Sequence, residues 1–365
     1  MRLRINCKYY CLVTWLIVLF VALQSRVRSE TSYLCGISGY CRADSGSNLI
    51  FWSSQRSEQP DRSRLNEKSI SAAIILLAPP RASASFGLSR FCLLKHALQS
   101  IDEYFNSIYG PYPILILVPN DDGGTYSRND RVSLRSWAPR STIEFVEIPL
   151  YSDLSSSIDF NVSQFQRWNE GLDDGVAGRH VGYRSMCRLW SGHLQAMPFL
   201  KRYDYYMRMD DDSVIIGPLP FDPFARMEEK VLGYAYRRQM TDTHGMKELW
   251  EFASPFMTTD SRMSMERMGM LSSGGLYEGL QPYNNFHVAS VAIWNTPKWL
   301  RFLRVIDDNF GFFKYRFGDA NMHAIAMGML LNETELERWP DIPIMHNVND
   351  LGDGYPPSGW KSECA

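Results

Sequence analysis

The chain lacks the signatures of several common enzyme classes. Neither GxGxxG nor GxxxxGK[ST] occurs, which speaks against a dinucleotide-binding dehydrogenase and a P-loop NTPase. GxSxG is also missing, which speaks against an α/β-hydrolase. No CxxC pair or Cys/His cluster points to structural zinc. An excess of charge of one sign is lacking too. Lys and Arg number 38 against 40 Asp and Glu, a formal net charge of −2, so no whole-molecule basic field exists to hold nucleic acid. No internal repeat stands out. What is present is ordinary globular usage, 45% hydrophobic and 21% charged, which excludes wholesale disorder. At 365 residues the chain is too long for a disulfide-stapled miniprotein and has room for roughly two folding units, or one large α/β unit with extensions. Aromatics make up 13%, which suits a large core or a groove that stacks sugar-like ligands.

The N-terminus reads as an address. Arg2, Arg4 and Lys8 precede a largely apolar run over 9–23, and Arg26 and Arg28 follow it. The run is shorter than the roughly 20 residues of a typical spanning helix, but early secretory membranes are thinner. The basic residues before it place a cytosolic tail at 1–8 and a signal anchor at 9–25. The alternative is a cleaved signal peptide with a poor small-residue site at 22–25. The basic pair after the run favours the anchor. Both readings send the body into the secretory lumen. Two glycosylation patterns agree with a lumenal body, Asn161-Val-Ser163 and Asn332-Glu-Thr334. Of 7 cysteines, Cys35 and Cys41 are near enough to staple a loop. Cys92, Cys187 and Cys364 remain unassigned, so at least one lumenal cysteine has no partner.

Residues 26–71 are polar with little periodicity, as in a stem between membrane and body. A folded domain is expected over 72–365. Apolar runs at 73–78 and 113–118 predict buried parallel strands, and 142–148 a third. Leu94, Leu98, Ile101 and Phe105 give helical spacing over 93–105. Strand, helix, strand, loop, strand opens an α/β fold with a mostly parallel sheet flanked by helices. Further on, 183–200 reads as helix, 203–209 as strand, 284–293 as strand, and 297–306 and 319–331 as helices.

The strand at 203–209 runs into Asp210-Asp211-Asp212. Three carboxylates after an apolar strand repel one another, and the simplest relief is a divalent cation such as Mn²⁺ or Mg²⁺. Ligands of open α/β sheets bind at the carboxyl ends of strands. Extended chain alternates, so Asp210 and Asp212 face one side and Asp211 the other. The bland alternative is a solvated acidic turn.

Four longer words resemble one family. Tyr183-Arg-Ser-Met-Cys-Arg188, with Ser191-Gly192 and Pro198, resembles the YRxMCR…SG…P of glycosyltransferase family 15, the fungal α-1,2-mannosyltransferases. Tyr203-Asp-Tyr-Tyr-Met-Arg-Met-Asp-Asp-Asp212 is similar to its YDYYWRVEPD. Tyr283-Asn284 with His287 and Ser290 resembles YNxxHxxS. Gly311-Phe-Phe-Lys-Tyr-Arg-Phe-Gly-Asp-Ala320 followed by His323 is similar to GFFYERWGDAPVH. The resemblance runs from about 72 to 346. It implies a GT-A nucleotide-sugar-binding fold, GDP-mannose as donor, Mn²⁺ as cofactor, and retention at the anomeric carbon. A mannose-ended glycan or glycoprotein would be the acceptor. It also implies a single-pass type II protein of the Golgi membrane.

Carried over by position, Asp210 takes the place of a metal-binding glutamate and Asp212 that of the acid after it. His346 stands where the family has a late metal-ligating histidine. Tyr183 and Asp319 match active-site positions. Arg208 could pair with a diphosphate or make a strand-edge salt bridge. Two departures stand out. Three aspartates replace Glu-Pro-Asp, and the word YNxxHxxSxxE, whose glutamate is the family's proposed nucleophile, ends here in Ile293. That leaves a front-face reaction, another carboxylate such as Asp319 or Glu278, or a lumenal scaffold that binds without catalysing. An enzyme of the same architecture with another donor is a further alternative. The family's cysteine in YNxC is Phe286 here, so Cys187 lacks that partner.

Overall fold

The computed structural model describes residues 70–78, 89–120, 124–150, 162–168, 181–346 and Cys364. The expected tail, anchor and most of the stem, together with Cys35, Cys41 and Asn161, lie outside the described residues. Among the described residues no helix is long and apolar enough to cross a membrane.

The strands are β1 (Ala72–Leu77), β2 (Ile114–Pro119), β3 (Ile143–Ile148), β4 (Tyr205–Met209), β5 (Ser213–Ile215), β6 (Tyr234–Tyr236), β7 (Gln239–Thr241), β8 (Leu280–Pro282), β9 (Phe286–Ser290), β10 (Leu336–Arg338) and β11 (Ile344–His346). Among the helices are α1 (Arg90–Ile101), α2 (Arg128–Trp137), α3 (Val181–Arg188), α4 (Val291–Trp294), α5 (Pro297–Asp308) and α6 (Asp319–Leu330). Seven strands form one sheet in the order β10-β6-β9-β4-β1-β2-β3. β3, β2, β1 and β4 are parallel. β9 runs antiparallel to both β4 and β6, and β10 is parallel to β6. The sheet is therefore mostly parallel with one reversed strand.

Period-two alternation explains why β1 and β2 read as unbroken apolar runs. Ile75, Leu117 and Tyr206 enter one core with Trp190, Trp294 and Trp299. Ile74, Ile116 and Met207 enter a second core with Leu98, Phe105 and Phe224. Both faces are buried, so each residue must be apolar whichever way it points. The helices begin where their caps predict. Ser89 accepts from the Cys92 amide at the start of α1, and Ser127 and Asp130 make a reciprocal capping box on α2.

Two expected elements are shorter than read from spacing. The helix expected over 183–200 is regular only to Arg188. It then loosens into a wider turn over Leu189–His193, where Gly192 has φ 132°. A Cβ there would sit 2.5 Å from Trp299 Nε1, so the tight packing of α5 requires glycine. The strand expected over 284–293 ends at Ser290, whose hydroxyl accepts from the Ala292 amide and starts α4. β5 and β11 escaped the sequence reading because three residues carry no periodicity. They pair antiparallel with His346 opposite Ser213. Cys92 pairs with Cys364 in a disulfide, and Cys187 is a buried free thiol.

Candidate metal and nucleotide site

At the carboxyl end of β4 the chain turns through the three aspartates. The Asp210 amide donates to the Asn285 carbonyl at 3.2 Å, and the Ser213 amide donates back to the Asp210 carbonyl at 2.9 Å. The β5–β11 ribbon then delivers His346, whose Nδ1 lies 2.9 Å from Ser213 Oγ and 3.3 Å from Asp212 Oδ1. Asp210, Asp212 and His346 each present a ligand atom within 4.8 Å of the others. Asp211 goes the other way, as alternation requires. Arg90, in the first turn of α1, donates from Nε to its Oδ2 at 2.9 Å and from Nη2 to its Oδ1.

Behind the pair stands Arg208, which is 4% exposed and whose guanidinium carbon lies 4.3 Å from the Trp190 ring centroid. It donates from Nε to Asp210 Oδ1 at 3.0 Å and from Nη1 to Asp319 Oδ2 at 2.5 Å. Asn284 Nδ2 donates to the same Asp319 oxygen at 2.9 Å. β4 is an interior strand, so the expected edge salt bridge is instead a buried bridge between two carboxylates. Tyr183, on α3, is partly buried, with Arg316 over its ring at 5.9 Å. Cys187 stands one turn later on α3; Cys187, burial and Asp319 hold the Tyr183 hydroxyl well above its ordinary pKa, and burial and Asp319 do the same for the Cys187 thiol.

The structure thus brings together Asp210, Asp212, His346, Arg208 and Asp319. Glu278 is exposed, in the loop before β8. Ile293 lies in α4 rather than in the strand expected over 284–293. Ser290 pairs with Tyr205, so Ile293 lies past the amino end of β4, while the acids leave its carboxyl end. Five extended residues separate the two ends by about 13 Å. Sequence reasoning missed Arg90, Ser213 and Asn284. A guanidinium to answer the third aspartate could have been sought, but its partner lies 121 positions away.

Electrostatics sharpen the site. Burial pushes the Asp210 carboxyl above the ordinary carboxylate range, with Arg208 and His346 pulling against it and Asp212 adding to it. Burial also works to raise Asp212, but the hydrogen bond and charge of His346 outweigh it and hold Asp212 low. Asp319 likewise resists burial because Arg208 and Asn284 favour its charged form. The four carboxylates of Asp210, Asp211, Asp212 and Asp319 face the two guanidiniums of Arg90 and Arg208. With the His346 imidazole neutral, the form that ligates a metal, two negative charges remain, which one divalent cation cancels. Two carboxylates and an imidazole are a donor set that suits Mn²⁺. The residues fit the cation.

Deeper in the same face lies a different polar layer. His287 and His323 are fully buried with ring centroids 4.9 Å apart. His323 Nε2 meets the Trp190 carbonyl at 2.9 Å, so it donates, and Nδ1 accepts from the Tyr234 hydroxyl at 2.9 Å. His287 Nδ1 meets the Asn284 carbonyl, so Nε2 accepts from the Tyr206 hydroxyl at 3.1 Å. Gln195 donates to that hydroxyl at 2.8 Å. Burial drives His287 well below its ordinary pKa and His323 down to about 4. Both rings are neutral and bonded at each nitrogen.

A family model described as glycolipid 2-alpha-mannosyltransferase matches residues 53–350. The chain belongs to this family, glycosyltransferase family 15. Among curated family 15 relatives, the O-glycoside alpha-1,2-mannosyltransferase homolog 3 of Schizosaccharomyces pombe is 27% identical over 260 residues, 68% of this chain and 67% of the relative. Alpha-1,2 mannosyltransferase KTR1 of Saccharomyces cerevisiae is 26% identical over 260 residues, 69% of this chain and 64% of the relative. The chain thus spans about two thirds of these relatives' lengths. Of solved structures, core-mannan synthase A from Aspergillus fumigatus, in a Mn/GDP form, superposes with TM-score 0.64 at 18% identity and covers 78% of this chain and 76% of its own. The mannosyltransferase Ktr4p of S. cerevisiae with GDP gives 0.61 at 15% identity, covering 76% and 71%. These two share the mixed α/β fold.

Proposed function

We propose that the protein is a Mn²⁺-dependent retaining glycosyltransferase of GT-A type that transfers α-mannosyl from GDP-mannose to a mannose-ended glycan, forming an α-1,2 linkage. One observation carries this reading: Asp210, Asp212 and His346 converge within 4.8 Å at the carboxyl end of β4, in a chain of family 15. The relatives' names support mannosyl transfer, and the Mn/GDP form of the Aspergillus fumigatus synthase supports the cofactor and donor.

Asp210, Asp212 and His346 would hold Mn²⁺, which when bound supplies positive charge against the diphosphate of the donor and the departing GDP. The chain's own residues do the rest. Arg208 fixes the rotamer of Asp210 and keeps that carboxylate from turning toward Asp319. In the same role Arg208 is too committed to two carboxylates to act as a free diphosphate clamp, so it serves donor binding through Asp210. Ser213 orients the His346 ring through Nδ1. Asp319, ionised and anchored by Arg208 and Asn284, is the carboxylate at hand for an electron-poor sugar carbon, and Tyr183 borders it.

The catalytically silent alternative keeps its motive in Ile293, and GDP and Mn²⁺ binding without turnover would distinguish it. We further propose the arrangement 1–8 cytosolic tail, 9–25 anchor, 26–71 stem and 72–365 lumenal domain, in a type II protein of the Golgi membrane. Its support is the charge pattern around residues 9–23 and the exposed Asn332 pattern. Incubation of the protein with a panel of sugar nucleotides, Mn²⁺ and mannose-ended acceptors tests the activity. Transfer from GDP-mannose is expected; transfer from another donor alone would identify the different-donor enzyme, and neither transfer nor hydrolysis from any donor would refute the enzyme reading.

A further inference from the structure

We infer that Arg90 is a positioning residue for the acidic turn, and that the tie between the first turn of α1 and Cys364 holds it there. The inference rests on the proposed cation site at Asp210, Asp212 and His346.

Asp211 sits between the two candidate ligands and is 3% exposed. A buried carboxylate between two others needs a counter-charge of its own. Arg90 supplies it with a two-pronged contact, Nε on one oxygen and Nη2 on the other, from a side chain that is still 32% exposed. The family word that this segment resembles has proline at the position of Asp211. A proline there asks for no cation, whereas an aspartate does, so Arg90 answers this chain's departure from Glu-Pro-Asp. With Asp211 drawn toward α1, Asp210 and Asp212 are left on the other side of the turn, facing His346.

Arg90 is itself fixed from both sides. The Ser89 amide donates to the Cys364 carbonyl at 2.7 Å, and Cys92 is bonded to the Cys364 sulfur. The residues immediately before and two after Arg90 are thus tied to one residue near the end of the chain. The other end of α1 reaches the same segment, since Ser100 Oγ accepts from the Ile215 amide at 3.1 Å and β5 carries Ser213 opposite His346. α1 therefore braces the acidic turn at Asp211 and again at β5. Without Arg90, the uncompensated Asp211 would pull the turn toward water and spread the two ligand carboxylates.

The test is Mn²⁺ titration of the purified full-length protein by electron paramagnetic resonance, with thermal melting of each variant in parallel. Arg90→Gln should weaken Mn²⁺ affinity about tenfold or more, the size of effect expected of groups that orient metal ligands. Adding Asp211→Asn to Arg90→Gln should restore most of that loss, because the harm comes from a carboxylate left without its cation. Cys364→Ser should weaken affinity by a smaller factor while Arg90 remains. A merely stabilising Arg90 would change the melting temperature and leave Mn²⁺ affinity untouched. Wild-type affinity in Arg90→Gln, or no recovery in the double variant, overturns the positioning role; wild-type affinity in Cys364→Ser overturns the tie. If the wild-type protein itself binds no Mn²⁺ with or without GDP, the cation site fails, and this inference falls with it.

Discussion

The acidic turn after β4 and the histidine layer beneath it share one face of the sheet, and Arg208 and His287 are register partners on adjacent strands. The first region keeps its charges, with four carboxylates against two guanidiniums. The second gives charge up. His287 and His323 are neutral and bonded through both nitrogens, to two tyrosine hydroxyls and two backbone carbonyls. Both regions lie in words that resemble the family. The difference separates two reasons for a polar residue in a core. The histidine layer satisfies itself and asks for no ligand. With His346 neutral the acidic turn carries two negative charges in excess, and that surplus points to a bound cation.

The largest effect that sharpens this contrast is expected at Asp210. Asp210→Asn removes one proposed ligand and one of the two anions on Arg208, so mannosyl transfer should fall by roughly three orders of magnitude, with a smaller loss of stability than at Asp319 because Asp210 is the more exposed of the two. A steady-state assay beside a thermal melt checks this. Next is Asp319→Asn, which takes one of two anions from a buried guanidinium. It should cost about 3 kcal/mol of stability in urea unfolding as well as activity.

His323→Phe should cost about 2 kcal/mol, because the Tyr234 hydroxyl and the Trp190 carbonyl lose a buried partner, yet leave Mn²⁺ affinity within about twofold. The layer also sets a pH dependence. The folded His323 has a pKa of about 4, below the ordinary 6.5, so the unfolded chain takes up a proton that the folded chain refuses. Its contribution to stability is full above pH 6.5 and is lost as pH falls from there toward 4. Urea midpoints measured across that range should fall in the wild type and fall less in His323→Phe. The smallest effect belongs to the exposed pair of Arg202 and Glu144, 2.7 Å apart. A double-mutant cycle there should give no more than about 0.5 kcal/mol. A larger value would mean that surface charge matters more than this contrast allows.

Much of the architecture was legible in the sequence. β1 and β2 announced themselves because both faces of the sheet are buried, which forces unbroken apolar runs. The acidic pair was legible from alternation, since Asp211 had to point away from Asp210 and Asp212. The rest depended on contacts distant in sequence. His346 read as a loop residue because its strand is three residues long and exists only by pairing with β5. Arg90 carries no local signal of its role. The break in the helix after Arg188 depends on Trp299, more than a hundred residues later. The strand read over 284–293 shows the opposite failure. It had already turned into α4 by 291, because Ser290 caps the helix there.

The account stands on the cation-dependent capture of a nucleotide by the acidic turn. Calorimetric titration of GDP into the purified protein, with Mn²⁺ and with chelator, addresses it most directly, with Asp210→Asn as the paired variant. The account predicts tight binding only when Mn²⁺ is present and its loss in the variant. Equal GDP affinity in all three conditions would contradict it.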